Sequence, residues 1–207
     1  MKLNNNKMNW YNITLNQFIE LDKILKSENN DTEKTICLME LLFGDEITDL
    51  PLAEFNKKVK EIDFLKDEIP VKTPPKKVVV NGRTYFIDCL IGNITTAQYV
   101  DFNNHLPTGD MKKILSVFFI PEGHKYNDGY DMLQVITDIG ELPIPVVESA
   151  AFFFERQLVK FMEIFQSYSI KRIKKTKMSK EQKEKMIKII QESMDLVLSP
   201  LYLNSVK

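Results

Sequence analysis

The sequence predicts a mainly helical protein with a β-hairpin set into it, and three observations carry that reading. A helix-opening phrase is written twice, as ITLNQFIELDKIL at 13–25 and as ITTAQYVDFNNHL at 94–106. Between the copies, VVVNGRTYFIDCL at 78–90 places two β-prone runs around an Asn-Gly pair. Downstream, Phe152, Phe153, Phe154, Leu158, Phe161, Met162 and Phe165 recur at helical spacing over 148–172.

Each copy of the phrase carries its own start signal. Thr14 is placed as an N-cap whose hydroxyl accepts from the Gln17 amide while the Gln17 side chain reaches back. Ile13 and Phe18 then occupy the staple positions, and Ile94, Thr95, Gln98 and Tyr99 repeat the set. The order continues in parallel. An apolar helix follows at 33–44 and another at 110–121, then an acidic-Leu-Pro turn leads into a helix at 49–59 and again at 141–151. A tandem duplication of a three-helix unit is the expectation.

PVKTPPKK at 70–77 forbids helix and reads as a linker. Asn81-Gly82 supplies the two positive φ values of a type I′ turn. An isolated hairpin is only marginally stable, so this one must pack on the helices or pair with another chain. IPEGHKYNDGYD at 120–131 reads as a surface loop. Ser179 and Gln182 form a further capping box, opening a last helix with Met186, Ile187, Ile190, Met194 and Val197 on one stripe and an expected stop at Pro200. The polar ends, MKLNNN and LNSVK, have a composition that orders only against neighbours. The expected divisions are a first helical unit (1–69), a linker and hairpin (70–90), a second helical unit (91–172), and a basic linker with the C-terminal helix (173–207).

The bulk composition describes a folded chain: 207 residues, 43% hydrophobic, 28% charged, with a formal net charge of −1. Neither a basic nor an acidic global field commits it to nucleic acid or membrane. Cys37 and Cys89 give neither a disulfide framework nor a metal-binding spacing, and read as thiols of a reducing compartment. The opening residues lack an apolar leader core and no stretch reaches the roughly 18 apolar residues of a membrane span. A cytosolic site of synthesis is expected.

Reactive constellations do not stand out. His105 ends a helix, where a cap-like role suits it, and His124 sits in a polar loop beside Glu122, Asp128 and Asp131 at no defensible metal spacing. The seven glycines form neither of the two phosphate-binding patterns. No catalytic residue, metal site or cofactor is assigned, and the reading points away from an enzyme. One electrostatic feature is prominent: residues 171–188 hold nine basic residues against two acidic ones. Lys171, Arg172, Lys174, Lys175, Lys177 and Lys180 are its candidate contacts. Three readings compete for it: a solvated linker, a contact with an acidic neighbour, or sequence-independent binding of nucleic-acid phosphates.

The Lys/Asn-rich, Arg-poor texture, the two IT-x-x-Q-[FY]-[IV]-[ED] helix starts and the Asn-Gly hairpin together resemble small helical structural proteins of tailed, crAss-like bacteriophages. That resemblance implies a non-enzymatic role in a virion assembled in the host cytoplasm, as a ring or adaptor subunit of the head–tail connector or tail. A tail-assembly chaperone or soluble adaptor is the alternative, and a nucleic-acid binder the second. It implies partners that are further copies of the chain and other virion or assembly proteins, with no membrane. The candidate subunit interface is Val78, Val80, Tyr85 and Ile87 of the hairpin with Phe152, Phe153, Phe161 and Phe165 of the long helix.

Overall fold

The computed structural model describes residues 7–204, with side chains as far as residue 192. Residues 1–6 and 205–207 of the two polar ends, and the side chains of Met194 and Val197, lie outside the described residues. The chain is mainly helical. Among the described residues it has eight α-helices and one three-stranded antiparallel sheet. Two compact units are distinguished: one takes the chain to Asp88 and again from Thr95 to Ala151, the other takes Cys89–Ile94 and the chain from Phe152. The first unit thus holds the strands of the hairpin with the first helical half, and residues 91–172 are divided between the two units.

The first unit begins with the caps the sequence announces. Helix α1 (Leu15–Lys26) opens at Thr14, whose Oγ1 accepts from the Gln17 amide at 3.2 Å while Gln17 Oε1 accepts from the Thr14 amide at 3.0 Å. Helix α2 (Asp31–Phe43) opens with a box of its own, Asn30 with Glu33. After a 3-10 turn at Asp45–Asp49 comes α3 (Leu52–Val59), entered from Pro51. Leu21, Leu38, Met39, Ile47 and Ile62 form the buried centre of this lobe. Trp10 closes its edge, with Nε1 donating to the Asp67 carbonyl at 3.1 Å and its ring edge-on to Phe64.

The hairpin forms as β1 (Lys77–Val80) and β2 (Arg83–Ile87), with Asn81 at φ 50° and Gly82 at φ 73°. Those angles are the type I′ turn, and a Cβ at residue 82 would be strained by φ alone. The expected need for a partner is met inside the chain. Helix α4 (Thr96–His105) carries the second box, Thr95 with Gln98, and α5 (Met111–Ser116) follows it. The apolar helix expected over 110–121 is therefore corrected to a six-residue helix. Phe119–Pro121 leaves it as β3, pairing with β2 in the register Tyr85↔Pro121, Phe86↔Ile120 and Ile87↔Phe119. The third strand satisfies the free edge of β2 and makes a three-stranded sheet, where two strands alone are only marginally stable.

Helix α6 (Met132–Gly140) closes this unit, and the turn after it meets the start of the chain. Thr14 and Pro143 form an antiparallel bridge; the Leu15 amide donates to Leu142 at 2.9 Å and the Ile144 amide to Ile13 at 2.8 Å. The acidic-Leu-Pro segment of the second half thus leads into helix α7 (Ile144–Lys175) as its sequence implies, with α6 and β3 placed ahead of it where the first half has a single 3-10 turn. In the second unit α7 continues from Phe152, and α8 (Lys180–Asn204) opens with the Ser179–Gln182 box. The stop expected at Pro200 is corrected: α8 runs through it. A proline deletes one N–H, and a helix already propagated for several turns carries that loss near its end.

Gly140 at the end of α6 lies against the Asn16 side chain of α1. A Cβ there would lie 2.5 Å from Asn16 Nδ2, and Asn16 is held by Glu141 Oε1 at 2.7 Å and Lys112 Nζ at 3.2 Å. Gly140→Ala is expected to lower stability by about 1–2 kcal/mol despite its better helix propensity. Urea denaturation reads the loss, and an Asn16→Ala background should abolish it.

Candidate functional site

The most concentrated chemistry lies where the hairpin faces α6. Asp138 sits on the apolar side of that helix with its side chain fully buried. Four donors converge on it. Asn81 Nδ2 and Gln134 Nε2 donate to Oδ1 at 2.8 and 2.9 Å. The Tyr85 hydroxyl donates to Oδ2 at 2.5 Å, and Arg83 Nη1 lies 3.2 Å from the same oxygen. The arrangement follows from the pleat. Arg83 and Tyr85 are two apart on β2 and so share a face, while Asn81 stands in the turn beside them.

Burial pushes the Asp138 carboxyl up, but the hydrogen bonds from Tyr85, Asn81 and Gln134, with the Arg83 charge, outweigh it and hold the group below its ordinary 3.8. Burial likewise raises the Tyr85 hydroxyl, aided by the carboxylate it donates to. An ionised carboxylate offers about four lone-pair sites, and four donors fill them. With both oxygens engaged, Asp138 is a fixed anion that fastens turn, strand and helix, and a poor base. A second hydroxyl–carboxylate pair, Tyr126 to Asp101 at 2.7 Å, ties the 122–131 loop to α4.

The residues expected at a subunit interface divide by face. Val80 and Tyr85 are buried within the chain and Val78 and Ile87 half-buried. As candidate interface residues they lie on the inner face of the sheet, where Asp138 of α6 meets Arg83 and Tyr85, so Val80 and Tyr85 are spent inside the chain. The outward face of the sheet carries Val79, 70% exposed, and Phe86, whose ring lies 4.5 Å from Lys77 Nζ. On α7, Phe153 is half-buried, whereas Phe152, Phe161 and Phe165 are exposed. Phe161 and Phe165 stack with centroids 6.3 Å apart, and Ile164 (60% exposed) and Tyr168 (59%) extend them. The periodicity of α7 already marked that helix, but not which side of it stays open.

All six basic candidates, Lys171, Arg172, Lys174, Lys175, Lys177 and Lys180, are exposed around the turn between α7 and α8. Arg172 lies over the Tyr168 ring at 5.9 Å, and Lys183 Nζ donates to the Lys174 carbonyl at 3.1 Å. Cys37 is half-buried and Cys89 buried, both as thiols. Among the described residues no group of His, Cys, Asp and Glu is placed to hold a metal ion, and no helix is long and apolar enough to cross a membrane.

A groove of about 570 Å3 opens on the first unit, lined by Ile36, Leu50, Leu52, Phe55 and Val59 with Asp31 at its rim. Sequence reading missed it, because a groove depends on how α2 meets α3. Comparisons with protein families, with curated proteins and with solved structures find no match to this chain.

Because the Asp138 pKa is lowered by folding, its stabilisation is complete above the unfolded value of ~3.9 and is lost as pH falls through the folded one. Asp138→Ala is expected to cost roughly 3 kcal/mol at pH 7, since several donors lose their acceptor together. Urea unfolding at pH 7 and again near pH 3 should show the gap between mutant and parent narrowing in acid; a gap that does not change with pH would count against the ionised carboxylate.

Proposed function

We propose that this chain is a non-enzymatic assembly subunit that associates with copies of itself through helix faces. The single observation that carries the proposal is the open stripe of α7, where Phe161, Ile164, Phe165 and Tyr168 stand exposed together. Aromatic side chains grouped on one surface are costly to leave in water and are enriched at the centres of protein interfaces. The fixed polar cluster at Asp138 supports the same reading, because it spends its carboxylate on rigidity.

The setting follows from the sequence resemblance: a virion ring or adaptor subunit of the head–tail connector or tail in a crAss-like phage. A tail-assembly chaperone would use the same α7 face and release its client. The exposed lysines at the α7–α8 turn favour a second reading, sequence-independent binding to nucleic-acid phosphates. Lys174→Glu with Lys175→Glu would then abolish retention on DNA at low salt.

Native mass spectrometry of the purified chain is expected to give a multiple of the subunit mass, and the chain should be found in purified particles. Phe165→Ser with Tyr168→Ser should shift the mass toward a single subunit with little change in melting temperature, since both side chains are exposed. A parent chain that is a stable monomer and absent from particles would overturn the proposal.

A further inference from the structure

The charge of this molecule is sorted onto two surfaces, and each surface has an apolar centre. Residues 28–54 carry eight acidic residues and one basic. Glu28, Asp31, Glu33, Asp45, Glu46, Asp49 and Glu54 are all exposed; Asp31 lines the α2–α3 groove itself and Asp49 stands between its lining residues Thr48 and Leu50, so these two form its acidic rim. The one lysine there, Lys34, donates to the Leu25 carbonyl, and further lysines begin only at Lys57, toward the end of α3.

The other surface is α7. Phe161, Phe165, Tyr168, Arg172 and Lys175 follow at intervals of four, three, four and three residues, all exposed. That spacing lays them along one side of a helix. The stripe is apolar in its first two turns and cationic in its last two, where Lys171 and Lys174 flank it.

Resting on the assembly reading above, we propose that α7 of one copy lies in the α2–α3 groove of a second copy. Its aromatic residues fill the groove and its basic end meets the acidic rim. An amphipathic helix in an apolar groove is a recurrent mode of recognition, and complementary rims fix its direction and exclude wrong registers. The two surfaces differ, so the contact is head-to-tail. Every copy that donates a helix retains a groove, and repetition gives a closed ring or an open filament.

Two reversals and their mixture test this. Arg172→Glu with Lys175→Glu sets an acidic stripe against an acidic rim; Asp31→Lys with Asp49→Lys sets a basic stripe against a basic rim. Each variant alone is expected to associate roughly a hundredfold more weakly than the parent. An equimolar mixture restores assembly, because both contacts in an alternating chain are again complementary. Light scattering or native mass reads the outcome, circular dichroism confirms that both variants fold, and the parent should dissociate as salt rises from about 50 to 500 mM.

A parent assembly indifferent to both reversals and to salt overturns this interface while leaving self-association in place. Loss in both variants without recovery on mixing also overturns it. A parent that stays monomeric at every concentration overturns the assembly reading itself, and binding of DNA by such a monomer would assign the basic stripe to phosphates.

Discussion

The buried carboxylate of Asp138 is the interaction on which the first unit depends. An unpaired anion in an apolar interior is costly by several kcal/mol, so the fold must deliver donors to it. That requirement fixes the turn at Asn81, the register that puts Arg83 and Tyr85 on the inner face, and the rotation of α6. Two residues beyond Asp138 the same helix presents Gly140 to Asn16, and four beyond it Leu142 bonds Leu15. Hairpin, helix and chain start are therefore positioned by one continuous piece of backbone. A shift of α6 by one residue would break the cluster and the bridge together.

Local signals were legible where the chemistry is local. Capping at Thr14, Thr95 and Ser179 and the Asn81-Gly82 turn each depend on residues within four positions of one another, so a sequence displays them completely. The strand at Phe119–Pro121 was hidden in LSVFFIP, a short apolar run that suits a buried helix end or a buried strand equally. What decided it was the open edge of β2, a partner more than thirty residues away. Asp138 was hidden for a similar reason. Its one local trace is an acid among Val135, Ile139 and Leu142, where a helix periodicity expects an apolar side chain. The repeated phrase was accurate about helix starts, yet its equivalent glutamines differ in use. Gln98 is buried and donates to the Val117 carbonyl at 2.9 Å in addition to capping, while Gln17 is half-buried.

The three arginines among 25 lysines are placed with a common logic. Arg83 meets the buried carboxylate, Arg156 lies 5.6 Å from the Phe152 ring centre, and Arg172 lies over Tyr168. A planar guanidinium is weakly hydrated and stacks where an ammonium would rather keep its water. Lysine also reaches rings in this chain, as Lys58 does over Phe43 and Lys77 over Phe86. The bulk of the lysines carry charge into solvent, whereas each arginine is committed to a planar partner.

The sheet has a consequence for how the chain tolerates crowding. Its edges are four and three residues long; Pro74, Pro75 and two lysines lead into one, and Pro121 ends the other. Brief, charged or proline-marked edges are poor templates for a foreign strand. Amyloid-like stacking is thus blocked at the very element whose backbone would best seed it. The same sheet offers a neighbouring chain little free backbone to extend into a cross-β ladder.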